Sequence, residues 1–209
     1  MSTADWVLLR HGESTANRDG VYSGWQDVRL TPRGEAQARN AGAALLGIRF
    51  TRILSSDLSR AVETARLAAV GAGLADLPIQ QLAGLRERNL GDWQGQDRAR
   101  LKRAHPEGPL LRWDGSPPRG ETLAQVAHRV LDTLIALPDA EGSTLLVAHG
   151  GVIRILTGLL DGVPRDELWT RKIPNAEPIS IQVPPGTWTR LKRALPPLPT
   201  SPPVTPGLG

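Results

Sequence analysis

The sequence predicts an α/β protein, a three-layer sandwich with a mostly parallel central sheet and helices on both faces. Short apolar runs at residues 6–9, 50–55, 78–82 and 144–148 alternate with longer segments whose apolar residues recur at helical spacing. The run at 144–148, TLLVA, is apolar almost throughout, as in a strand covered on both faces. Two of these strands end alike, in a histidine followed by glycine, at His11-Gly12 and His149-Gly150.

Each element has a local cause. The first strand stops at Arg10-His11-Gly12, and residues 18–30, rich in Gly and Asp and without a period, form a loop that can fold over the strand end. Thr31 supplies an N-cap hydroxyl and Pro32 the first helical position for a helix over 32–46, with Ala41, Ala44 and Leu45 inward and Gly47 as its stop. After the strand at 50–55, Leu58, Ala61, Val62, Ala65 and Ala69 share one face of a helix ending at Gly71. Arg60 falls in that helix's first turn, where a cation opposes the dipole; a bound anion accounts for it, and so does plain solvation.

The strand at 78–82 leads into GLRERNLGDWQGQ, where Gly91, Trp93 and Gly95 suggest a tight surface loop. Glu87 lies between Arg86 and Arg88, the pattern of an ionised surface pair unless a ligand alters the balance. A helix over 97–104 stops at His105-Pro106, and residues 107–121, rich in Pro and Gly, read as a connecting or lid-like loop. The helix at 122–137 buries Leu123, Val126, Ala127, Val130, Leu131, Leu134 and Ile135; His128 lies off that stripe and, like His105, reads as a surface histidine.

After TLLVA and His149, VIRILTGLL forms a helix whose first amides can cradle an anion. Residues 165–169 make a short helix. Asn175 precedes a strand, PISIQV, and Gly186 turns the chain into TWTRLKR as its hairpin partner. From Leu195 the chain reads LPPLPTSPPVTPGLG, a disordered or polyproline-like tail, which leaves residues 1–194 as one domain and 195–209 as the tail.

Composition narrows the function. At 209 residues and 40% hydrophobic content the chain can build one sizeable core. It has no cysteine, which excludes thiol catalysis, thiolate metal sites and disulfides. No run approaches the ~18 apolar residues of a membrane span and MSTADWVLL is not a leader, so a soluble cytoplasmic protein without membrane contact is expected. The net charge of +4, from 25 Lys and Arg against 21 Asp and Glu, is dispersed, which argues against nucleic acid and suits a small anionic substrate. Lys occurs only at 102, 172 and 192, and Arg suits bidentate contact with phosphate or carboxylate. There is no Gly-rich loop with Lys-Ser/Thr and no Asp-rich magnesium motif; no metal or cofactor is expected.

Ligands of such sheets bind beyond the strand ends, so His11 and His149 are expected in one crevice, with Arg10 and Arg60 as cations and Glu87 as a proton carrier. That set suits phosphoryl transfer: an imidazole attacks phosphorus, the cations neutralise its oxygens and a carboxyl protonates the departing alkoxide. Guanidinium groups then carry the charge that Mg²⁺ would otherwise carry. Glu87 must hold a proton against Arg86 and Arg88, which a bound phosphate dianion and burial are expected to outweigh.

The stretches LLRHGES with Asn17, SGWQDVRLTPRG, SSDLSRAVETA, LRERNLGDWQG, RGETL and VAHGGVIR, in that order, resemble the histidine phosphatase superfamily, the phosphoglycerate-mutase-like proteins, in its Arg-His-Gly branch. The resemblance implies a phosphoglycerate-mutase-like fold with His11 as phosphorylated nucleophile, Glu87 as proton donor, and Arg10, Arg60 and His149 as the phosphate pocket. It also implies phosphate contacts from Asn17, Ser23, Gly24 and Gly150, and a leaving-group contact from Arg98. Mutases of the family resemble one another in an Arg-His-Tyr-Gly phrase and a later paired-arginine insert. This chain has Arg88-Asn89-Leu90-Gly91-Asp92-Trp93 and a short loop to Arg119, similar to the phosphatases, including the broad-specificity and α-ribazole-phosphate types. The expectation is a metal-independent phosphatase of small phosphomonoesters acting through a phosphohistidine. Phosphoglycerate mutase-type transfer and a non-catalytic phosphate sensor are the alternatives, and a homodimer is compatible with each.

Overall fold

A computed structural model describes residues 4–106, 108–138 and 141–198. Five strands, β1 (Ala4–Arg10), β2 (Phe50–Ser55), β3 (Ile79–Gln81), β4 (Ser143–Ala148) and β5 (Pro178–Val183), form one sheet in the order β3-β2-β4-β1-β5. The first four run parallel and β5 runs antiparallel to β1. Among the described residues seven α-helices surround the sheet: α1 (Thr15–Arg18), α2 (Pro32–Ala44), α3 (Ser59–Gly71), α4 (Arg98–Ala104), α5 (Leu123–Ile135), α6 (Gly150–Leu160) and α7 (Thr187–Ala194).

The alternation of strand side chains produces two cores. Val7 and Leu9 of β1, with Ile53, Leu145 and Val147, face the alanine-rich sides of α2 and α3. Trp6 and Leu8, with Leu54, Leu146 and Ala148, face the other way, among residues of α5, α6 and α7. One residue of register therefore decides which layer a side chain joins, and the three-layer sandwich follows. The small side chains of α2 and α3 let the pair approach closely: a Cβ on Gly42 would strike the main chain at Ala68.

Several elements start where expected. Thr31 accepts the Gly34 N–H at the head of α2, and Thr122 forms a reciprocal capping box with Gln125 at the head of α5. Other expectations are corrected. TWTRLKR is not the hairpin partner of β5 but the helix α7; β5 pairs with β1 instead, Ile181 opposite Trp6. Trp188, Leu191 and Leu195 recur at helical spacing, and α7 docks them in the core beside α5, with Trp188 edge-on to Trp6 at 5.3 Å. A period of two ignores that stripe.

Ala44 and Ile135 are exposed, since α2 ends at Ala44 and α5 at Ile135, where the helices leave the core. Trp93 is buried with Leu90, Leu101 and Leu110 in a small separate cluster, so the loop around it is not merely a surface turn. His128 is half-buried against the end of the described chain, its Nε2 2.9 Å from the Pro196 carbonyl oxygen. Helix α1 has no counterpart in the expected elements; Ser14 and Asn17 cap it reciprocally. Residues 165–169 fall within a 3-10 turn, Arg165–Thr170. Of the tail expected from residue 195, positions 199–209 lie outside the described residues.

Candidate functional site

β1 and β4 are parallel neighbours with Arg10 opposite Ala148, so the residues that follow them leave the same sheet edge at the same level. Those residues are His11 and His149. The His11 N–H donates to the Ala148 carbonyl at 2.9 Å, and the two rings lie edge to face with centroids 5.2 Å apart. Exposure is 4% for His11 and 0% for His149.

The main chain orients the first ring. His11 Nδ1 lies 2.7 Å from the Gly12 carbonyl oxygen, which can only accept, so Nδ1 carries the proton and Nε2 keeps its lone pair. Gly12 in turn donates its N–H to Thr64 Oγ1 at 3.0 Å, and Asn175 donates to the His11 carbonyl at 2.8 Å. Gly12 packs against Gly34 so closely that a Cβ on either would strike backbone. On the second ring, Nε2 lies 2.8 Å from Ser56 Oγ, while Nδ1 is buried with no protein partner.

Arg60 is 1% exposed, which rules out the solvated alternative for this side chain. Its Nη1 and Nη2 donate to the carbonyls of Gln26 and Gly24, at 3.0 and 2.7 Å, and its Nε is buried without a protein acceptor. Arg10 shows the same arrangement: Nη1 donates to the Ile173 carbonyl at 2.6 Å, and Nε has no protein acceptor. Buried polar atoms left unpaired are rare and costly, and Arg10 Nε, Arg60 Nε and His149 Nδ1 all belong to this cluster.

Burial first, then Arg60 and Arg10, pushes His11 well below the ordinary imidazole value; burial, Arg60, His11 and Arg10 do the same to His149. Burial lowers Arg10 to about 10, against the pull of the Glu87 carboxylate, and lowers Arg60 too. Near neutral pH the imidazoles are therefore uncharged and the guanidinium groups cationic. Below the ordinary value of 6.5 the unfolded chain protonates both histidines while the folded protein does not. Stability of the ligand-free protein is thus expected to fall as pH drops below 6.5, because each histidine takes up a proton in the unfolded chain and not in the folded one. Denaturant titrations at several pH values measure it; the double variant His11→Asn/His149→Asn should flatten the slope, and an unchanged slope would refute the assignment.

Glu87 sits between two 3-10 turns, Ala83–Leu85 and Gly91–Trp93. The expected surface pairing with its neighbours does not occur. Arg86 turns to Asp57, with contacts of 2.8 and 2.5 Å, and Arg88 is buried with its guanidinium on the carbonyls of Glu121 and Gly115. The Glu87 carboxylate accepts the Arg88 N–H at 2.9 Å through Oε1 and the Gly151 N–H at 3.1 Å through Oε2, in the first turn of α6. A Cβ on Gly151 would collide with that carboxylate.

A cavity of about 600 Å³ joins these groups. Arg10, His11, Arg60 and Glu87 line it, and so do Asn17, Ser23, Gly24, Arg98 and Gly150; His149 lies behind His11 and does not. The Asn17 carbonyl oxygen accepts from Ser14 N–H and Asn175 Nδ2, leaving its NH₂ half as what it offers a ligand. Arg98 opens α4, donates from Nε to the Val21 carbonyl and lies over the Tyr22 ring. The remaining walls include the apolar residues Trp93, Leu101, Leu110, Ile155 and Trp169. His105, expected as a plain surface residue, stacks on Trp93 at 5.0 Å and also lines the cavity.

Sequence reasoning missed Arg154, Ser56, Thr64 and Asn175. Arg154 was detectable as a lone cation within the apolar VIRIL run; it lines the cavity, and burial lowers its pKa. Ser56, Thr64 and Asn175 carry no such signal, because they act through partners distant in sequence. Among the described residues no group of three or more His, Asp or Glu is placed to hold a metal ion, and no helix is long and apolar enough to cross a membrane.

Buried positive charge at the carboxyl edge of a parallel sheet defines a class, the α/β proteins that receive a small oxyanion at their strand ends. This chain belongs to the histidine phosphatase superfamily (branch 1), whose family model matches residues 6–194. Among curated proteins, 2,3-bisphosphoglycerate-dependent phosphoglycerate mutase 2 of Lactobacillus johnsonii is 34% identical over 207 residues, covering 84% of this chain and 90% of that one. Bacillus stearothermophilus YhfR superposes with a TM-score of 0.78 at 32% identity, over 88% of this chain and 93% of that one. A mycobacterial glucosyl-3-phosphoglycerate phosphatase, solved with VO3, does so with a TM-score of 0.74 at 30% identity, over 85% and 92%. The expected fold and family are thereby established, and the chain is an enzyme of this superfamily.

Proposed function

We propose that the protein hydrolyses small phosphomonoesters through a phosphohistidine at His11, with no metal and no cofactor. The observation that carries this reading is the neutral His11 ring, its Nδ1 proton held by Gly12 and its Nε2 lone pair free, set among cationic Arg10 and Arg60. Nε2 attacks phosphorus while Arg10 and Arg60 neutralise the oxygens, the uncharged His149 ring backs His11, and Glu87 gives its proton to the departing alcohol. Water then attacks the phosphohistidine, Glu87 takes its proton, and phosphate and neutral His11 are restored. Asn17, Ser23, Gly24 and Gly150 add contacts to the phosphoryl group, and Arg98 meets the leaving alcohol.

Hydrolysis is favoured over transfer by the far walls of the cavity. Arg112 and Arg119, in the segment where mutases are expected to carry paired arginines, do not line it; they pair with Asp114 and Asp92 instead. The walls offered to the alcohol are apolar as well as cationic, which suits a monoester with some apolar body. The mutase name of curated relatives supports phosphoglycerate mutase activity as a second reading.

Purified protein in excess EDTA is expected to release inorganic phosphate from members of a panel of sugar phosphates, phosphoglycerates and nucleoside monophosphates. No release from any of them, with vanadate still bound, would overturn the phosphatase reading. Movement of phosphate between positions of phosphoglycerate faster than its release would establish the mutase.

A further inference from the structure

The carboxylate of Glu87 belongs to a stretch, residues 84–89, that pairs with no strand and lies largely outside the helices. Its main-chain carbonyls therefore need partners from elsewhere. One side chain, Arg129 of α5, serves three of them. Its Nη1 donates to the carbonyls of Gly84 and Arg86, both at 2.9 Å, and its Nη2 to the carbonyl of Glu87 itself at 3.2 Å.

The guanidinium is held in turn by Glu121, through Nε at 2.9 Å and Nη2 at 2.8 Å, with both side chains less than a fifth exposed. Glu121 also grips the far end of the stretch. Its carboxylate accepts the Asn89 N–H at 2.7 Å, its own N–H donates to the Asn89 carbonyl at 2.9 Å, and its carbonyl accepts from Arg88 Nε at 2.7 Å. One ion pair thus brackets Glu87 on both sides, and Trp25 Nε1, donating to the Glu87 carbonyl at 2.6 Å, closes the third side.

We propose that Arg129 and Glu121 are positioning residues for the proton transfer at Glu87: the pair fixes the main chain from Gly84 to Asn89 so that the Glu87 carboxyl stays on the Gly151 amide, beside His11. It rests on the reading of Glu87 as proton donor. Neither residue lines the cavity, so the pair acts through Glu87 and not on substrate. A planar fork serving three carbonyls and one carboxylate is a task a lysine cannot perform, and a displacement of about 1 Å at a reacting group costs on the order of 100-fold in rate.

The test compares two substrates. An alkyl phosphate needs its leaving oxygen protonated, whereas p-nitrophenyl phosphate does not, because p-nitrophenolate departs as the anion. Arg129→Gln and Glu121→Gln are each expected to lower kcat/KM, which reports the first chemical step alone, on the alkyl phosphate by roughly 10- to 100-fold, and on p-nitrophenyl phosphate by less than about 3-fold. Arg129→Lys should fall between, and Arg129→Gln should add little in a Glu87→Gln background, since both remove one function. Thermal unfolding separates stability from rate; if Arg129→Gln fails to fold, Arg129→Lys and Glu121→Gln carry the comparison. Equal losses on both substrates, or lowered stability with the ratio of rates unchanged, would overturn the proposal. The parallel Glu87→Gln control distinguishes the failures: if it too lacks leaving-group dependence, the proton-donor reading fails and takes the positioning role with it; if it alone shows that dependence, only the positioning role fails.

Discussion

Replacing His11 with asparagine is expected to reduce turnover of every phosphomonoester by at least about 10⁴-fold, because it removes the atom that forms the covalent bond. Asparagine keeps a short polar side chain that can still donate to the Gly12 carbonyl, now served by Nδ1 at 2.7 Å. The guanidinium groups of Arg10 and Arg60 are held by the carbonyls of Ile173, Gln26 and Gly24, none of which depends on the ring. The variant should therefore fold and bind vanadate or phosphate with affinity within roughly tenfold of the parent. Rapid acid-free quenching with labelled substrate should trap a phosphohistidine in the parent and none in the variant. Residual turnover within about 100-fold of the parent would mean that another group attacks phosphorus.

Glu87→Gln is expected to lower kcat on alkyl phosphates by about 10²- to 10⁴-fold, the usual contribution of a positioned acid or base. The amide is nearly isosteric but has one acceptor oxygen for the two N–H groups that Oε1 and Oε2 now serve, so it keeps one of these bonds, and thermal unfolding of the variant separates that loss from the loss of the proton. With p-nitrophenyl phosphate the first step should survive while the second loses its base. The variant should then release a burst of nitrophenol approaching one equivalent per enzyme, followed by a slow steady rate. A uniform loss on both substrates with no burst would remove Glu87 from both proton transfers.

Much of the site was legible because its chemistry is attached to strand and helix ends. A strand that runs apolar into Arg10-His11-Gly12, a second that runs into His149-Gly150, and a cation in the first turn after a third are local patterns, and parallel pairing brings their ends together. Arg60 illustrates where local reading stops. Its sequence context suited an exposed cation as well as an anion contact, and only the fold of the 20–30 loop over α3, offering the carbonyls of Gly24 and Gln26, buries it. Glu87 was found by sequence but its surroundings were misjudged: adjacency to Arg86 and Arg88 suggested pairing, yet both guanidinium groups leave for partners 27 to 33 residues away, Asp57, Glu121 and Gly115.

The sequence by itself determined the periodicities and their punctuation. Thr31-Pro32 starts one helix, apolar residues from Leu123 to Leu134 at helical spacing mark the buried face of another, and the histidines sit where strands stop. Those features depend on neighbours within a few positions, so backbone propensity and burial pattern reveal them. The tertiary structure alone decided that the apolar face of TWTRLKR docks on Trp6, that Asn175 reaches His11 across 164 residues, and that Glu87 rests on Gly151 across 64. The physical reason is that a polar side chain's partner is set by which donors and acceptors the packed layers bring within hydrogen-bond distance, and that proximity is a property of the folded sheet, not of the residues beside it in the chain.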